Sequence, residues 1–346
     1  MLSEVVLKIR STGGRLDQES QDYLRAKKLV ECYGSDSLSY FNLRWDKNLF
    51  FYDDDSFLAY RIIMGIALIS GDPIGRPQLI PEIIKEFRKH CAKEGLHFAY
   101  FASSEDYLPF YKEAGLRAFC LGEEAVIRLG GFSLEGRKMK DLRHAVTKVK
   151  KMGFPIEFIF NAGIPSHLRR ELREVSREWR GDKLEAGFSM GLGHLFDPKD
   201  ENCLLCLAYD WNYQPIGFLH LVPMYPNVGY SLDVSRTRND APNGLMEFML
   251  ANTAQFLIKH SCQFMSLHFC FFSQHYRYDR EELGSALARF IAKLVNYRLP
   301  VTTLYNFDKR FLPLVWKKRF IVYERILDFP RIILACLKAE SVMNIR

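Results

Sequence analysis

The stretch GFSLEGRKMKDLRHAVTKVKKMG, residues 131–153, divides the sequence into two similar halves. It carries seven basic side chains between residues 137 and 151 but only one acid, Asp141. The bases are Arg137, Lys138, Lys140, Arg143, Lys148, Lys150 and Lys151. Its apolar residues Met139, Leu142, Val146 and Val149 recur at helical spacing, which predicts a helix with one buried stripe. Solvated helices usually intersperse acids with bases to gain pairs four residues apart. The pattern therefore favours a basic helix that binds a polyanion over a solvated linker helix.

The first half reads as a helix, an antiparallel meander, a helix, a strand, a short helix and a strand. A helix is predicted over residues 18–33, and short strands run from residue 37 to IALIS at 66–70, followed by GDPIG at 71–75. Pro81 lies in the first turn of the next helix, whose inward side chains are predicted to be Ile83, Ile84 and Phe87. A strand at 97–102, a helix at 108–112 and a strand at 116–129 complete this half.

The second half repeats that order. FPIEFIF at 154–160 reads as a strand, and Leu168, Leu172, Val175 and Trp179 form the apolar stripe of a helix. The remaining predicted elements are a hairpin from CLLCLAYD and IGFLHLVPMY (203–225), a strand at 228–235, a helix from near Asn243, a strand at 263–271, a helix at 281–295, a strand at 319–324 and a last helix at 330–340. That last helix is amphipathic, and we expect it to cover the second domain rather than to lie on a membrane.

This repeated order is the one that a GNAT-type acyltransferase fold needs. The sequence therefore predicts an α/β (α+β) protein with tandem GNAT-type domains joined by a basic helix. The predicted boundaries are 1–130 for the first domain, 131–153 for the basic helix and 154–346 for the second, catalytic domain.

The composition is typical of a folded protein with an anionic partner. The chain has 346 residues, which suits two domains, and 48% of them are hydrophobic. Its formal net charge of +7 favours nucleic acid, an anionic membrane or a phosphorylated substrate as the partner. Glu4, Lys8 and Arg10 exclude a signal peptide at the start, and the longest apolar run, 62–69, is far short of the roughly 20 residues of a membrane span. These features predict a cytoplasmic protein that does not cross a membrane.

The eight cysteines do not indicate a metal site. Cys203 and Cys206 have CxxC spacing, but they lie in a predicted buried strand, and no second CxxC accompanies them. We interpret them as core thiols, and the sequence predicts neither a metal nor a cofactor.

Eight stretches, in order from about residue 20 to 330, resemble one protein family. They are YFNLRWDKNLFF (40–51), SGDPIG (70–75), LGEEAV (121–126), FSLEGRKMKDLRHAV (132–146), GFSMG (187–191), SLDVSR (231–236), APNGLMEF (241–248) and LYNF (304–307). The family is the cytosolic catalytic domain of bacterial phosphatidylglycerol lysyltransferases, also called multiple peptide resistance factors, and the chain is most similar to its stand-alone relatives.

The resemblance implies tandem GNAT-type domains and a basic helix that helps to dock tRNA. It also implies transfer of an amino acid from aminoacyl-tRNA to a hydroxyl of phosphatidylglycerol, an anionic lipid, at the inner face of the cell membrane. The family's N-terminal flippase is absent from this sequence, so we expect no export of the product. His144 and His268 stand where the family has Asn. At RFLPLVW (310–316), either Arg310 replaces a family Lys or that Lys is shifted to Lys309.

The implied chemistry needs positioning rather than a cofactor, because aminoacyl-tRNA is already an activated ester. Acetyl-CoA enzymes of this fold use an (R/Q)xxGx(G/A) loop before a helix to bind pyrophosphate. RTRNDAPNG at 236–244 occupies that place here, which disfavours acetyl-CoA.

Asp233 and Arg236 are the candidate catalytic residues. In a GNAT-type sheet the fourth strand and the helix after it splay apart to form the cleft, and SLDVSR ends that strand in the second half. Asp233 is expected to bind the ammonium group of the amino acid or to assist proton transfer. Arg236 is expected to hold the 3′-terminal phosphate or the oxyanion. Spacing alone favours a structural salt bridge, whereas the resemblance favours catalysis.

Four further residues are candidate substrate contacts: Glu185, Ser189, Asn243 and Arg310. Glu185 precedes GFSMG and suits a cationic amino acid, and Ser189 lies in that motif, which also reads as a plain glycine-rich turn. Asn243 suits either a ligand contact or a helix N-cap. Arg310 lies among aromatic and basic residues (305–319) that fit tRNA or lipid headgroups but read more readily as core. His220, on an apolar strand, is interpreted as a core histidine rather than a base.

Two other functions stay open from the sequence. The same fold can act on another acceptor, such as a different lipid or a peptide amine. A non-catalytic relative that binds tRNA or membranes is the other alternative.

Overall fold

The computed structural model describes residues 20–34, 36–181, 190–225, 229–271, 301–312 and 315–340. The helices of this described part are α1 (Gln21–Tyr33), α2 (Ile80–Lys93), α3 (Leu108–Glu113), α4 (Lys140–Lys151), α5 (Ser166–Arg180), α6 (Leu245–Lys259), α7 (Val301–Lys309) and α8 (Phe329–Ala339). The strands are β1 (Asn48–Phe51), β2 (Ser56–Ile63), β3 (Ile66–Ser70), β4 (Ile74–Gly75), β5 (His97–Ser104), β6 (Arg117–Arg128), β7 (Ile156–Phe160), β8 (Leu204–Tyr209), β9 (Pro215–Met224), β10 (Gly229–Thr237), β11 (Phe264–Phe271) and β12 (Val315–Tyr323).

The chain forms two units that do not follow the predicted boundaries. Unit 1 draws its residues from 1–122, 186–193 and 318–346, and unit 2 from 123–185 and 194–317. Residues 131–153 thus belong to unit 2, and the end of the second half belongs to unit 1. The helix predicted at 281–295 lies outside the described residues.

Unit 1 contains a mixed sheet in the order β1–β2–β3–β5–β12. The first three strands are antiparallel neighbours, β3 and β5 are parallel, and β5 pairs antiparallel with residues Arg319–Tyr323 of β12. Helix α2 packs against this sheet through Ile83, Ile84 and Phe87, which are buried as predicted.

Helix α8 also belongs to unit 1. It packs against β2 and β3, so the prediction that the last helix covers the second domain is wrong. Its buried residues Ile332, Ile333, Cys336 and Leu337 are the apolar face that the sequence predicts.

Unit 2 contains the second meander. Strands β7, β8, β9 and β10 are successive antiparallel neighbours, and β11 lies parallel to β10. Helix α5 covers one face of this sheet through Leu168, Leu172 and Val175. Helices α4 and α6 cover the other face. The α/β class is confirmed, whereas the first strand predicted from residue 37 is wrong, because Ser39–Leu43 forms a 3-10 helix.

The predicted stripe of α4 is confirmed in full. Met139, Leu142, Val146 and Val149 are all buried in the core that α4 shares with α6. The stripe predicted for α5 is wrong at one position, because Trp179 is 49% exposed.

The SGDPIG stretch in unit 1 contains a buried carboxylate, that of Asp72. Its oxygens accept hydrogen bonds from the Ser104 backbone N–H and from the Tyr111 hydroxyl, both at 2.8 Å. Burial and, less strongly, the negative charge of Asp36 together raise the pKa of Asp72 to about 6, against the lowering effects of the two hydrogen bonds and of Arg319.

Cys203 and Cys206 are buried, as predicted for core thiols, and Cys206 points to the carbonyl oxygen of Met249 in α6. Burial raises the pKa of the Cys206 thiol to about 12, which keeps it protonated. None of the described helices is long and apolar enough to cross a membrane.

Candidate functional site

Strand β10 carries the candidate catalytic residues of unit 2. The pairing described between β10 and β11 joins Gly229–Ser231 to Phe264–Ser266. Strand β10 continues to Thr237 and pairs antiparallel with β9, and the register of that pairing shifts between Leu232 and Val234. A bulge of this kind re-aims a side chain and bends the strand. Asp233 is the residue at the shift.

Asp233 is paired with a histidine inside the sheet. Its Oδ2 lies 2.8 Å from Nδ1 of His220, and both side chains are only 1% exposed. On its other side, His220 Nε2 lies 3.3 Å from Nδ2 of Asn161. Because a carboxylate only accepts hydrogen bonds, Nδ1 carries the imidazole proton and Nε2 accepts from Asn161. His220 is a core histidine, as the sequence indicated, but it also fixes the carboxylate of Asp233.

Arg236 lies three residues after Asp233 on β10 and is also buried, with 2% of its surface exposed. It donates a hydrogen bond to the hydroxyl of Ser176 in α5. Its guanidinium carbon lies 5.4 Å from the ring centroid of Trp179, also in α5, which is a cation–π distance. Trp179 is therefore partly exposed while its ring contacts the candidate catalytic arginine.

The segment after β10 is held to α5 by Glu178. This carboxylate accepts from Nη1 of Arg238 at 2.9 Å and from the Asn239 backbone N–H at 2.8 Å. Arg238 also donates through Nε to the carbonyl of Pro215. These contacts fix the path of the chain from Arg236 to the start of α6.

Helix α6 begins where it meets α4. Its N-cap is Gly244, with φ 98°, and the cap makes no side-chain hydrogen bond. A Cβ at this position would lie 3.3 Å from the Ala145 carbonyl oxygen and from Cγ2 of Val149, so glycine permits both the left-handed backbone and the close approach to α4. Asn243 is exposed and is not the N-cap, which removes that interpretation of it.

Arg310 faces the first turn of α6. Its Nη1 lies 2.9 Å from Oε1 of Glu247, and its side chain is 55% exposed while that of Glu247 is 11% exposed. The pair leaves part of the guanidinium open to solvent beside the helix start.

The basic residues of α4 and of the turn before it form a cationic surface, with one exception. Arg143 is half-buried and donates to the carbonyl oxygens of Leu134 and Gly136, so its contacts are structural. The exposed cations are Arg137, Lys138, Lys140, Lys148, Lys150 and Lys151.

This cationic surface and the Asp233–Arg236 pair lie on opposite faces of the unit 2 sheet. The stripe of α4 packs with Leu219, Leu221 and α6, whereas Arg236 contacts α5.

A second histidine–carboxylate pair lies near Asp233 and was not found from the sequence. His194 Nε2 lies 2.6 Å from Oδ2 of Asp200, with side-chain exposures of 21% and 2%. Burial lowers the pKa of His194, but the hydrogen bond to Asp200 and the charges of Asp200, Asp197 and Asp233 raise it above its ordinary value overall. His194 is therefore a partly accessible side chain whose protonated form is favoured by Asp200 and, more weakly, by Asp233. Spacing alone gives no signal for it, because it lies in an irregular loop.

Glu185 and Ser189 lie outside the described residues. The end of the GFSMG motif is described and belongs to unit 1, where the Gly191 carbonyl accepts from Nη1 of Arg44 at 3.1 Å.

Comparison with known proteins identifies the family. The family model described as "Phosphatidylglycerol lysyltransferase, C-terminal" matches residues 27–323. The chain belongs to this phosphatidylglycerol lysyltransferase C-terminal family. The resemblance stated from the sequence motifs is confirmed.

Relatives of this lysyltransferase family include much longer proteins. The lysylphosphatidylglycerol biosynthesis bifunctional protein LysX of Mycobacterium leprae (strain Br4923) is 30% identical over 99% of this chain and 30% of its own length. LysX of Rhodococcus jostii (strain RHA1) is 30% identical over 100% of this chain and 31% of its own length. The chain thus spans about three tenths of these relatives.

Solved structures of the lysyltransferase family share the fold. L-PGS from Bacillus licheniformis has a TM-score of 0.82 at 23% identity, covering 96% of this chain and 99% of that one. The C-terminal domain of a putative lysylphosphatidylglycerol synthetase from Agrobacterium fabrum has a TM-score of 0.79 at 23% identity, covering 93% and 97%. At 23% identity, these two structures show that the chain shares their fold.

Proposed function

We propose that this protein transfers an amino acid, lysine or another, from aminoacyl-tRNA to the hydroxyl of phosphatidylglycerol or a similar membrane lipid. Family membership supports lysyl transfer to this lipid in general terms. The observation that carries the proposal further is the arrangement of unit 2, in which a cationic helix lies on one face of the sheet and the buried Asp233 and Arg236 lie on the other.

The reaction is an exchange of esters and needs no redox step. The lipid hydroxyl oxygen bonds to the aminoacyl carbonyl carbon, and the bond from that carbon to the ribose oxygen breaks. The hydroxyl proton leaves the lipid, and the ribose oxygen gains a proton, so protons balance. The protein must orient the two substrates and stabilise the oxyanion between them.

Arg236 and Asp233 have complementary roles in this proposal. The Arg236 guanidinium is held by Ser176 and Trp179 and supplies a fixed positive charge for the oxyanion or the terminal phosphate. Asp233, oriented by His220, supplies the negative charge for the ammonium group or takes up the hydroxyl proton. Both are excluded from water in this structure, and charges act more strongly in such surroundings.

The opposite faces of the sheet suit two different substrates. The exposed bases of α4 attract the phosphates of tRNA on the α4–α6 face. The aminoacylated end then reaches Asp233 and Arg236 on the α5 face. Arg310, partly open beside the start of α6, is positioned for a phosphate on the α4–α6 face.

A surface on unit 1 suits the membrane that holds the acceptor. Ile326 and Leu327 are 62% and 82% exposed just before α8. The remaining exposed positions from 325 to 340 are Arg325, Pro330, Arg331, Leu334 and Lys338. No exposed acid interrupts this stretch, because Asp328 is half-buried against His97 and Glu340 is buried. Aliphatic side chains flanked by bases fit an anionic bilayer surface, so we propose peripheral membrane association through these residues, with the protein otherwise cytoplasmic.

The test combines a panel of charged tRNAs with phosphatidylglycerol vesicles and follows aminoacyl lipid by mass spectrometry. We expect product with at least one tRNA, and loss of that product in Arg236→Ala. The matched control is Arg177→Ala, which removes an exposed arginine from α5, the helix that Arg236 contacts. Equal turnover by the two variants, or no product with any charged tRNA, would refute the proposal. Replacing phosphatidylglycerol by other lipids or by a peptide amine then identifies the acceptor.

A further inference from the structure

The hairpin between β8 and β9 presents two exposed aromatic side chains. Trp211 and Tyr213 are 70% and 72% exposed, more than any other aromatic residue in the described part of the chain. Exposed rings of this size lose apolar burial that folding would normally gain. A role in binding a partner would explain why these two rings are exposed.

The hairpin tip is rigid rather than loose. The Asp210 carboxylate accepts from the backbone N–H groups of Asn212 and Gln214, both at 2.8 Å, and the Asp210 carbonyl accepts from the Tyr213 N–H. Tyr213 has φ 58°, a left-handed conformation that an aromatic residue rarely adopts. Backbone strain of this kind tends to persist at functional sites.

Trp211 is attached to the end of the cationic helix. Its Nε1–H donates to the carbonyl oxygen of Met152, immediately after α4, at 2.9 Å. Its ring centroid lies 4.9 Å from that of Phe154 at 34°. The last turn of α4 carries Lys148, Lys150 and Lys151, all exposed. Trp211 therefore places an exposed ring beside the last turn of α4, and Tyr213 lies two residues further along the same hairpin.

This composition fits unpaired nucleotides. Aromatic side chains stack on bases whose faces are free, and lysines hold the phosphates between them. A membrane fits less well, because the tip, DWNYQP, places only polar side chains between and beside the rings. We propose that Trp211, Tyr213, Lys148, Lys150 and Lys151 form a stacking site for unpaired nucleotides of RNA, termed here the hairpin–helix surface.

The RNA concerned is the tRNA of the proposed function, and the inference rests on that function. The surface holds single-stranded nucleotides next to the cations that α4 offers to the phosphates. It adds contacts with bases to an interface in which the cations of α4 otherwise contact only phosphates.

Fluorescence polarisation with labelled tRNA, and with a labelled single-stranded oligonucleotide, tests the surface. Trp211→Ala and Tyr213→Ala should each weaken binding by roughly 5- to 150-fold, the range that loss of one base–aromatic stack gives. Neither should change the slope of log K against log salt, because no phosphate contact is lost. Replacing the three lysines by alanine should instead reduce that slope by about 2.

Two controls separate stacking from structure. Trp211→Phe keeps a ring but loses the hydrogen bond to Met152, so retained affinity shows stacking, and loss equal to that of Trp211→Ala shows that the residue only positions α4. Leu24→Ala removes an exposed apolar side chain from α1 in unit 1 and should leave RNA binding unchanged.

The outcomes also separate this inference from the proposed function. If the wild-type protein forms aminoacyl lipid while Trp211→Ala and Tyr213→Ala bind tRNA normally, the hairpin–helix surface is refuted alone. Loss of vesicle binding without loss of RNA binding refutes it in favour of a membrane contact. If the variants lose RNA affinity but the wild-type protein forms no aminoacyl lipid, the transfer reaction is refuted and the surface stands.

Discussion

The contact between Asp233 and His220 makes a sharp prediction about both stability and turnover. The two groups lie 2.8 Å apart with 1% of each side chain exposed, so water cannot replace either partner. A hydrogen bond to a charged group contributes about 1.5–3 kcal/mol, and a buried donor left without its acceptor costs a similar amount. Asp233→Ala and His220→Ala should therefore each lower the free energy of unfolding. The double variant should lose about 1.5–3 kcal/mol less than the sum of the two.

Asp233→Asn separates the structural from the chemical role of the same side chain. Asparagine can present its Oδ1 to the Nδ1–H of His220, so the hydrogen bond survives while the negative charge is lost. We expect a free energy of unfolding within about 1 kcal/mol of the wild-type value, because the geometry is kept. Turnover should fall at least about 100-fold, the smaller end of what a group that handles a proton contributes.

Urea unfolding, followed by circular dichroism, measures the first effect, and aminoacyl-lipid formation from charged tRNA measures the second. A coupling energy near zero would show that the two side chains do not interact in solution. Full turnover by a stable Asp233→Asn protein would leave Asp233 a structural residue and remove it from the mechanism.

Three further predictions concern stability. The pKa of Asp72 is raised to about 6, above the unfolded value, so its contribution is most favourable at low pH and is lost as pH rises from about 4 to 6. The free energy of unfolding of Asp72→Asn, measured with urea, should rise relative to that of wild type by up to about 3 kcal/mol between pH 4 and pH 8. A difference between the two proteins that does not change with pH would contradict this. His194 has a raised pKa, so the stability that it gains from Asp200 is present below its unfolded value and disappears as pH rises through the folded value. The stability gap between wild type and His194→Asn, measured by thermal unfolding, should therefore shrink from pH 5.5 to pH 8, whereas a gap that widens would reverse the assignment. Gly244→Ala should lower the free energy of unfolding by about 1–2 kcal/mol because Gly244 has a φ of 98°. Gly131→Ala should leave it nearly unchanged, because Gly131 has open space around it. Similar urea midpoints for the two variants would contradict the close approach of α4 and α6.

Local elements could be predicted from the sequence because hydrophobic periodicity reports which face of an element is buried. The stripe of α4 and the inward face of α2 illustrate this. Trp179 shows the limit of the method. Periodicity places it on the inner side of α5, but the structure leaves it exposed beside Arg236.

The units could not be predicted from the sequence, because they depend on pairing between distant segments. Arg319 is fully buried in unit 1, where it meets Asp36 and Ser37, and the second of these is 282 residues away in the chain. No local pattern contains such a contact. A domain boundary predicted from the order of elements divides the chain at one point, whereas the hydrophobic cores include segments that are distant in the chain.

The candidate site could be predicted as residues but not as geometry. Asp233 and Arg236 were identified through SLDVSR, yet their partners, His220 and Ser176, come from other elements. His194 and Asp200 are six positions apart in an irregular loop, which has no recognisable spacing. Trp211 had one available signal, since an aromatic residue in a predicted polar turn has no core to enter.

Return of the chain from residue 318 onward into unit 1 has a consequence for biosynthesis. Strand β5 finds its antiparallel neighbour only in residues 319–323, so one edge of β5 stays open while some two hundred intervening residues leave the ribosome. An unpaired sheet edge invites pairing with other nascent chains. A fragment cut at residue 130 should thus aggregate, and chaperone dependence should end only when translation passes β12.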